Sequence, residues 1–187
     1  MENYHKMVDL FEAANEKLLQ IDKILFNTQV SERTLCGALM LHLHNIMSTD
    51  ETLIGYHVDV EYNRNQGGIK TIRKTIVGEQ EQIIPINCDL IIHSRGERPE
   101  QDNLIAIEMK KSTRPPLEKD KDRERLVALT KDSFNDVWSF DRRNLPEHVC
   151  RYILGVYYEI NYKKNQIYIE YYKQGQQTHN YILNINA

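Results

Sequence analysis

Two short aliphatic segments carry charges where apolar side chains would be expected. In Cys88-Asp89-Leu90-Ile91-Ile92 an aspartate stands among apolar residues, and Leu104-Ile105-Ala106-Ile107 runs directly into Glu108-Met109-Lys110. An ionised group in apolar surroundings is costly unless it is paired, hydrogen-bonded or bound to metal. In extended chain, residues two apart share a face, so Glu108 and Lys110 point together while Ile107 and Met109 point the other way. If the two segments pair as strands, Asp89 joins them at one sheet end. Such oxygen donors suit a hard divalent cation, Mg2+ or Mn2+. A cation held there suits phosphodiester hydrolysis, because it polarises the phosphoryl oxygen and lowers the pKa of bound water. Lys110 would orient that water, assist its deprotonation or stabilise the transition state. The residue types leave these three roles open.

A further acid comes from a helix. Ser31 is a favoured N-cap residue, and Leu35, Leu39, Leu43 and Ile46 form the apolar stripe of a helix running to about Met47. At 100° per residue Glu32 falls within roughly 60° of that stripe, so it points where the core-facing residues point. Acids in a first helical turn are also favoured by the helix dipole alone. Among the basic residues after Pro115-Pro116, Arg123 is the preferred phosphate contact. It lies, however, in a run where Glu118, Asp120, Asp122 and Glu124 interleave with Lys119, Lys121 and Arg125, the pattern of a solvated helix face.

The elements that must position these residues can be read from periodicity. Met7, Leu10, Phe11, Ala14, Leu18, Ile21 and Leu25 predict an amphipathic helix over 4–26. Alternation of Tyr56, Val58, Val60 and Tyr62 with polar residues predicts a strand, followed by a turn at 63–68 and an extended segment at 69–77. Strands near 87–93 and 104–110, a helix over 117–131, and strands at 150–160 and 166–173 follow. The tail YILNINA adds an edge strand. This order predicts an α/β or α+β fold with a mixed sheet.

The chain's 187 residues, 41% hydrophobic and 27% charged, fit one globular domain. With a net charge of -3, a nucleic-acid partner would have to meet a local basic face. Cys36, Cys88 and Cys150 fit neither a disulfide framework nor a paired-cysteine zinc site and are expected to be reduced and buried. No membrane-length apolar run and no signal-peptide pattern are visible, which makes the cytoplasm the expected compartment, without a membrane partner.

Taken together, Asp89, the loop after it and Glu108-Met109-Lys110, with aliphatic residues before each acid, resemble the PD-(D/E)XK nuclease superfamily. The likeness covers roughly residues 30–160. Glu32 resembles the superfamily's first-helix acid, HVDVEYN its first core strand, 117–131 its second core helix and 150–160 its fourth core strand. The bare acid-and-lysine pattern is weak and recurs by chance; the surrounding element order gives it weight. The resemblance implies a restriction-endonuclease-like α/β fold, a mixed central β-sheet flanked by helices with an αβββαβ core. Residues 1–28 would be an N-terminal helical extension and 161–187 C-terminal strands. It further implies that Asp89, Glu108, Glu32 and the Met109 carbonyl hold Mg2+ or Mn2+, and that Lys110 is the catalytic lysine. The superfamily's eponymous proline is replaced by Cys88; since that proline shapes backbone, the chemistry is untouched. DNA is the expected substrate, and double-strand cutting by one site per chain implies a homodimer or repeated nicking. Two alternatives stand beside this expectation. One is a binding or regulatory module on the same fold without turnover, and the other a metal-dependent phosphoesterase acting on nucleotides.

Overall fold

One nine-residue strand, buried on both faces over its first seven residues, organises the molecule. The computed structural model describes residues 2–61, 88–132 and 150–185, and the backbone of four short strands between 64 and 85. Helices α1 (Glu2–Ile21), α2 (Lys23–Asn27) and α3 (Glu32–Met47) lead to strand β1 (His57–Val60). The short strands β2 (Arg64–Asn65), β3 (Gly68–Ile69), β4 (Thr71–Lys74) and β5 (Gln82–Pro85) form two separate hairpin-like pairs, β2 with β3 and β4 with β5. Then come β6 (Leu90–His93), β7 (Asn103–Lys111), helix α4 (Pro116–Leu129), β8 (Leu154–Asn161), β9 (Gln166–Lys173) and β10 (Gln176–Asn184). The main sheet has six strands in the order β1-β6-β7-β8-β9-β10. Only β7 and β8 are parallel, joined through α4; the other neighbours are antiparallel. The fold is thus mixed α/β with a mostly antiparallel sheet.

Both faces of the sheet are covered. Ile105, Ile107 and Met109 of β7 pack with Val156 and Tyr158 of β8 against Phe11 and Leu18 of α1 and Leu35, Leu39 and Leu43 of α3, all fully or almost fully buried. Each such side chain contributes about 1.5–3 kcal/mol by leaving water. On the opposite face, Ile91, Ala106, Tyr157 and Tyr172 pack against Leu126 and Leu129 of α4. Gly155 lets α4 approach β8 closely, since a Cβ there would meet Thr130 Cγ2 and Tyr172 Cβ, each at 3.0 Å.

Local signals account for most element ends. Ser31 caps α3 as expected, its hydroxyl accepting from the Thr34 amide at 3.2 Å. The first helix departs from expectation: its stripe ends at Leu18, the chain breaks at Asp22, Ile21 is exposed, and after the break Phe26 rather than Leu25 is fully buried. Asp22 is held by His42 at 2.5 Å. Strand β8 begins at Leu154 rather than 150, because Arg151 has positive φ and the Arg151 and Tyr152 amides bond to the Lys131 and Leu129 carbonyls at the end of α4. Strand β10 begins earlier than the tail expected for it, after a two-residue turn in which Gln174 and Gly175 both take positive φ, as a type I′ hairpin requires. The side chains of the expected turn and extended segment between 63 and 77 lie outside the described residues. All three cysteines are buried. Among the described residues no helix is long and apolar enough to cross a membrane.

Candidate functional site

Strand β7 delivers Glu108 and Lys110 to the face covered by α4. Its register with β8 sets Glu108 beside Tyr157 and Lys110 beside Glu159, and the β8–β9 register sets Glu170 beside Tyr157. The first turns of α4 therefore lie on a charged layer, whereas its end lies on apolar side chains. Asp89, just before β6, is tied to β7: Asp89 Oδ2 accepts from the Met109 amide at 2.8 Å and from Lys110 Nζ at 3.4 Å. Period two thus placed Glu108 and Lys110 correctly, and the pairing of β6 with β7 brings Asp89 to them.

Two residues of α4 complete the network. Lys110 Nζ lies 3.3 Å from Asp122 Oδ2, and Arg125 Nη1 lies 3.2 Å from Asp122 Oδ1. The same Arg125 nitrogen donates to Glu108 Oε1. Glu108 is fully buried, and its Oε2 accepts no hydrogen bond from the described residues; the neighbouring Cys88 thiol donates instead to the Ile107 carbonyl at 3.2 Å. Asp122 and Arg125 were expected on a solvated helix face, and the structure corrects this. The signal was available: Asp122 stands four residues before Leu126 and Arg125 four before Leu129, the spacing that puts residues on one helix face.

Electrostatics follow from this crowding. Burial, and then the charge of Asp89, push the Glu108 carboxyl up to about 8 against the pull of Arg125. Burial alone would lower Lys110, but Asp89, Asp122 and Glu108 raise it, so it is held as an ammonium ion. Asp122 is raised by burial, which outweighs Lys110 and Arg125.

Glu32 and Arg123 lie elsewhere. Glu32 Oε1 accepts from the Lys111 amide at 2.7 Å, and Arg114 bonds both carboxylate oxygens at 3.2 and 3.0 Å. Burial would raise Glu32, but these donors hold its pKa below the usual value. Glu32 and Asp89 line one cleft of about 730 Å³, with Arg33, Glu61, Lys111 and Arg114 among the other walls. Arg123 is outside that cleft. Its Nε donates to both oxygens of Glu170 at 3.0 Å, and its guanidinium carbon sits 4.1 Å from the Tyr157 ring centroid.

The structure therefore gathers Asp89, the Met109 backbone, Lys110 and Glu108, and sets Glu32 on the cleft that Asp89 shares. Among the described residues no three His, Cys, Asp or Glu side chains form a group that could hold a metal ion as they stand. The carboxylates of Glu108 and Glu32 are instead compensated by Arg125 and Arg114. Comparison with family models, curated proteins and solved structures returns no match for this chain.

Proposed function

We propose that the protein is a Mg2+- or Mn2+-dependent nuclease of the PD-(D/E)XK type, cutting phosphodiester bonds of nucleic acid, with DNA as substrate. The observation that carries this reading is the meeting of Asp89, Glu108 and Lys110 at the junction of β6 and β7. Its context supports it: with the short strands β2 to β5, which lie outside the main sheet, set aside, α3, β1, β6, β7, α4 and β8 come in the order α-β-β-β-α-β that the resemblance implies for the restriction-endonuclease-like core.

The residues fit a hard cation in chemistry. Glu108 Oε2 is a buried oxygen without a donor among the described residues, and Asp89 is a second carboxylate close enough to raise the Glu108 pKa. Like charges so placed favour a cation between them. Asp89, Glu108 and the Met109 carbonyl would hold it, with Glu32 acting from the cleft after exchanging Arg114. When bound, the cation would activate water and offset charge on the leaving oxygen. Lys110, an ammonium flanked by acids, donates hydrogen bonds; its part is to orient the attacking water and stabilise the phosphorane oxygens rather than to take a proton. Arg33, Lys111 and Arg114 on the cleft walls would receive the phosphates of the strand.

The compensated carboxylates favour one other reading, a nucleic-acid- or protein-binding regulatory module on the same fold without turnover. One experiment separates the two. Purified protein is incubated with plasmid, linear and single-stranded DNA and RNA, in Mg2+, Mn2+ or EDTA, beside Glu108→Ala and Lys110→Ala. Metal-dependent cleavage lost in both variants is the expected result. Cleavage unchanged in both sinks the nuclease reading, and binding without cleavage selects the module. Sedimentation of the DNA complex tells whether double-strand cutting uses a homodimer or repeated nicking.

A further inference from the structure

Asp122 is buried and Arg125 partly buried at a place where the helix could have packed with apolar side chains, as it does one turn later at Leu126 and Leu129. Asp122 is 4% exposed and lies between two cations, with Lys110 3.3 Å from Oδ2 and Arg125 donating to Oδ1. Arg125 in turn holds Glu108, which is 0% exposed, by Oε1, and among the described residues no donor reaches Oε2. Desolvating ions costs several kcal/mol each, and buried ionic networks replaced by apolar residues are often no less stable. Packing alone therefore does not account for Asp122 and Arg125. What they hold does: one end of the chain of contacts is Lys110, which also touches Asp89, and the other is Glu108.

We propose that Asp122 and Arg125 are the positioning residues of this centre. Asp122 keeps the Lys110 ammonium between itself and Asp89, while Arg125 grips Glu108 by one oxygen so that the other is presented to a divalent cation. The inference rests on the nuclease reading for the identity of that cation and of the reaction. Carboxylates that bind metal are themselves commonly oriented by hydrogen bonds, and loss of such a partner weakens metal binding about 10- to 100-fold. The two residues thus leave different signatures. Asp122→Asn preserves shape and an acceptor for Arg125 but removes the anion beside Lys110, so it acts on turnover. Arg125→Gln releases Glu108, so it acts on cation affinity. Arg125→Lys keeps the charge without the planar fork and restores part of that affinity.

The test uses the full chain, with Mn2+ alone as the calorimetric probe and DNA cleavage at saturating Mn2+ for kcat and KM. Near-UV circular dichroism reports folding of each variant. Asp122→Asn is expected to lower kcat about tenfold or more with KM and the Mn2+ Kd unchanged. Arg125→Gln is expected to weaken the Mn2+ Kd about 10- to 100-fold, with Arg125→Lys between it and wild type. A wild-type kcat in Asp122→Asn, or a wild-type Kd in Arg125→Gln, overturns the assignment while leaving the nuclease reading intact. A wild-type protein that neither binds Mn2+ nor cuts DNA overturns both. If Arg125→Gln does not fold, Arg125→Lys decides: it must bind Mn2+ more weakly than wild type.

Discussion

The Lys110 ammonium lies 3.4 Å from Asp89 Oδ2, the same oxygen that receives the Met109 amide at 2.8 Å. Asp89 is thereby fixed to β7 by backbone as well as by charge. Asp89→Ala leaves that amide without this acceptor in a partly buried place and takes from Lys110 one of its two acid partners, and is expected to cost about 1–3 kcal/mol in urea unfolding. Asp89→Asn keeps an acceptor and recovers most of the stability. Neither variant is expected to retain metal-dependent cleavage; full cleavage in Asp89→Asn would remove Asp89 from the chemistry.

The pH dependence of stability is set by carboxylates displaced in opposite directions. Glu108 has an ordinary value of 4.5 and is raised to about 8 in the fold. Between these values the folded protein holds a proton that the unfolded chain has released. The stability from Glu108 is therefore complete below the unfolded pKa and is lost as pH rises through about 8. Glu32 and Asp59 run the other way. Burial would raise both, but the donors on Glu32, and His93 and Arg95 on Asp59, hold them low, so their contribution is lost as pH falls. In EDTA the urea midpoint is expected to decline from about pH 4.5 to about 8 and to level off above, and Glu108→Gln is expected to flatten that decline. An unchanged slope over that interval in Glu108→Gln would refute this account.

Glu32 lets its structural duty be separated from the metal-binding one proposed for it. Its acceptance of the Lys111 amide closes the end of β7, and without it a backbone donor lacks its partner. Glu32→Ala is expected to cost about 1–3 kcal/mol, and Glu32→Gln clearly less, in chemical unfolding. The Mn2+ affinity of Glu32→Gln then reports on the second duty: a fall is expected if the acid binds the cation, and a wild-type Kd would confine Glu32 to holding β7 and Arg114.

Gly155 sets the approach of α4 to the sheet. A methyl group there meets Thr130 and Tyr172 at 3.0 Å, and neither neighbour yields readily. Both are almost fully buried, and the Thr130 hydroxyl donates to the Leu126 carbonyl and accepts from the Gly175 amide. Gly155→Ala is expected to cost about 1–3 kcal/mol by overpacking. Thermal unfolding that matches wild type would show that α4 can shift outward freely.

Legibility of the site in the sequence followed the simplicity of the local rule. Period two put Glu108 beside Lys110, and the cap at Ser31 set α3 and with it Glu32, because both depend on a few neighbouring residues. Asp122 and Arg125 were missed because the alternating charges over 118–125 conceal a face that only Leu126 and Leu129 mark as inward. Arg123 drew attention as a cation in that run, yet its direction is decided by Glu170 and Tyr157, partners on strands far along the chain. The start of strand β10 was set too late for a similar reason: it depends on Gln174 and Gly175 at positive φ, a turn chemistry that composition does not announce.

The two-toned face of α4 divides labour along a single helix. Its last turns, through Leu126 and Leu129, anchor it to Ala106 and Tyr172, while its earlier turns carry the groups that touch Lys110 and Glu108. At 1.5 Å per residue the anchor begins about 6 Å from Asp122. Substitutions in the anchored half would change how much heat the protein withstands and leave the charged layer intact. Those in the leading half would alter the layer while the anchor keeps the helix in place. Heat resistance and the make-up of the charged layer can therefore drift separately within fourteen residues of one helix.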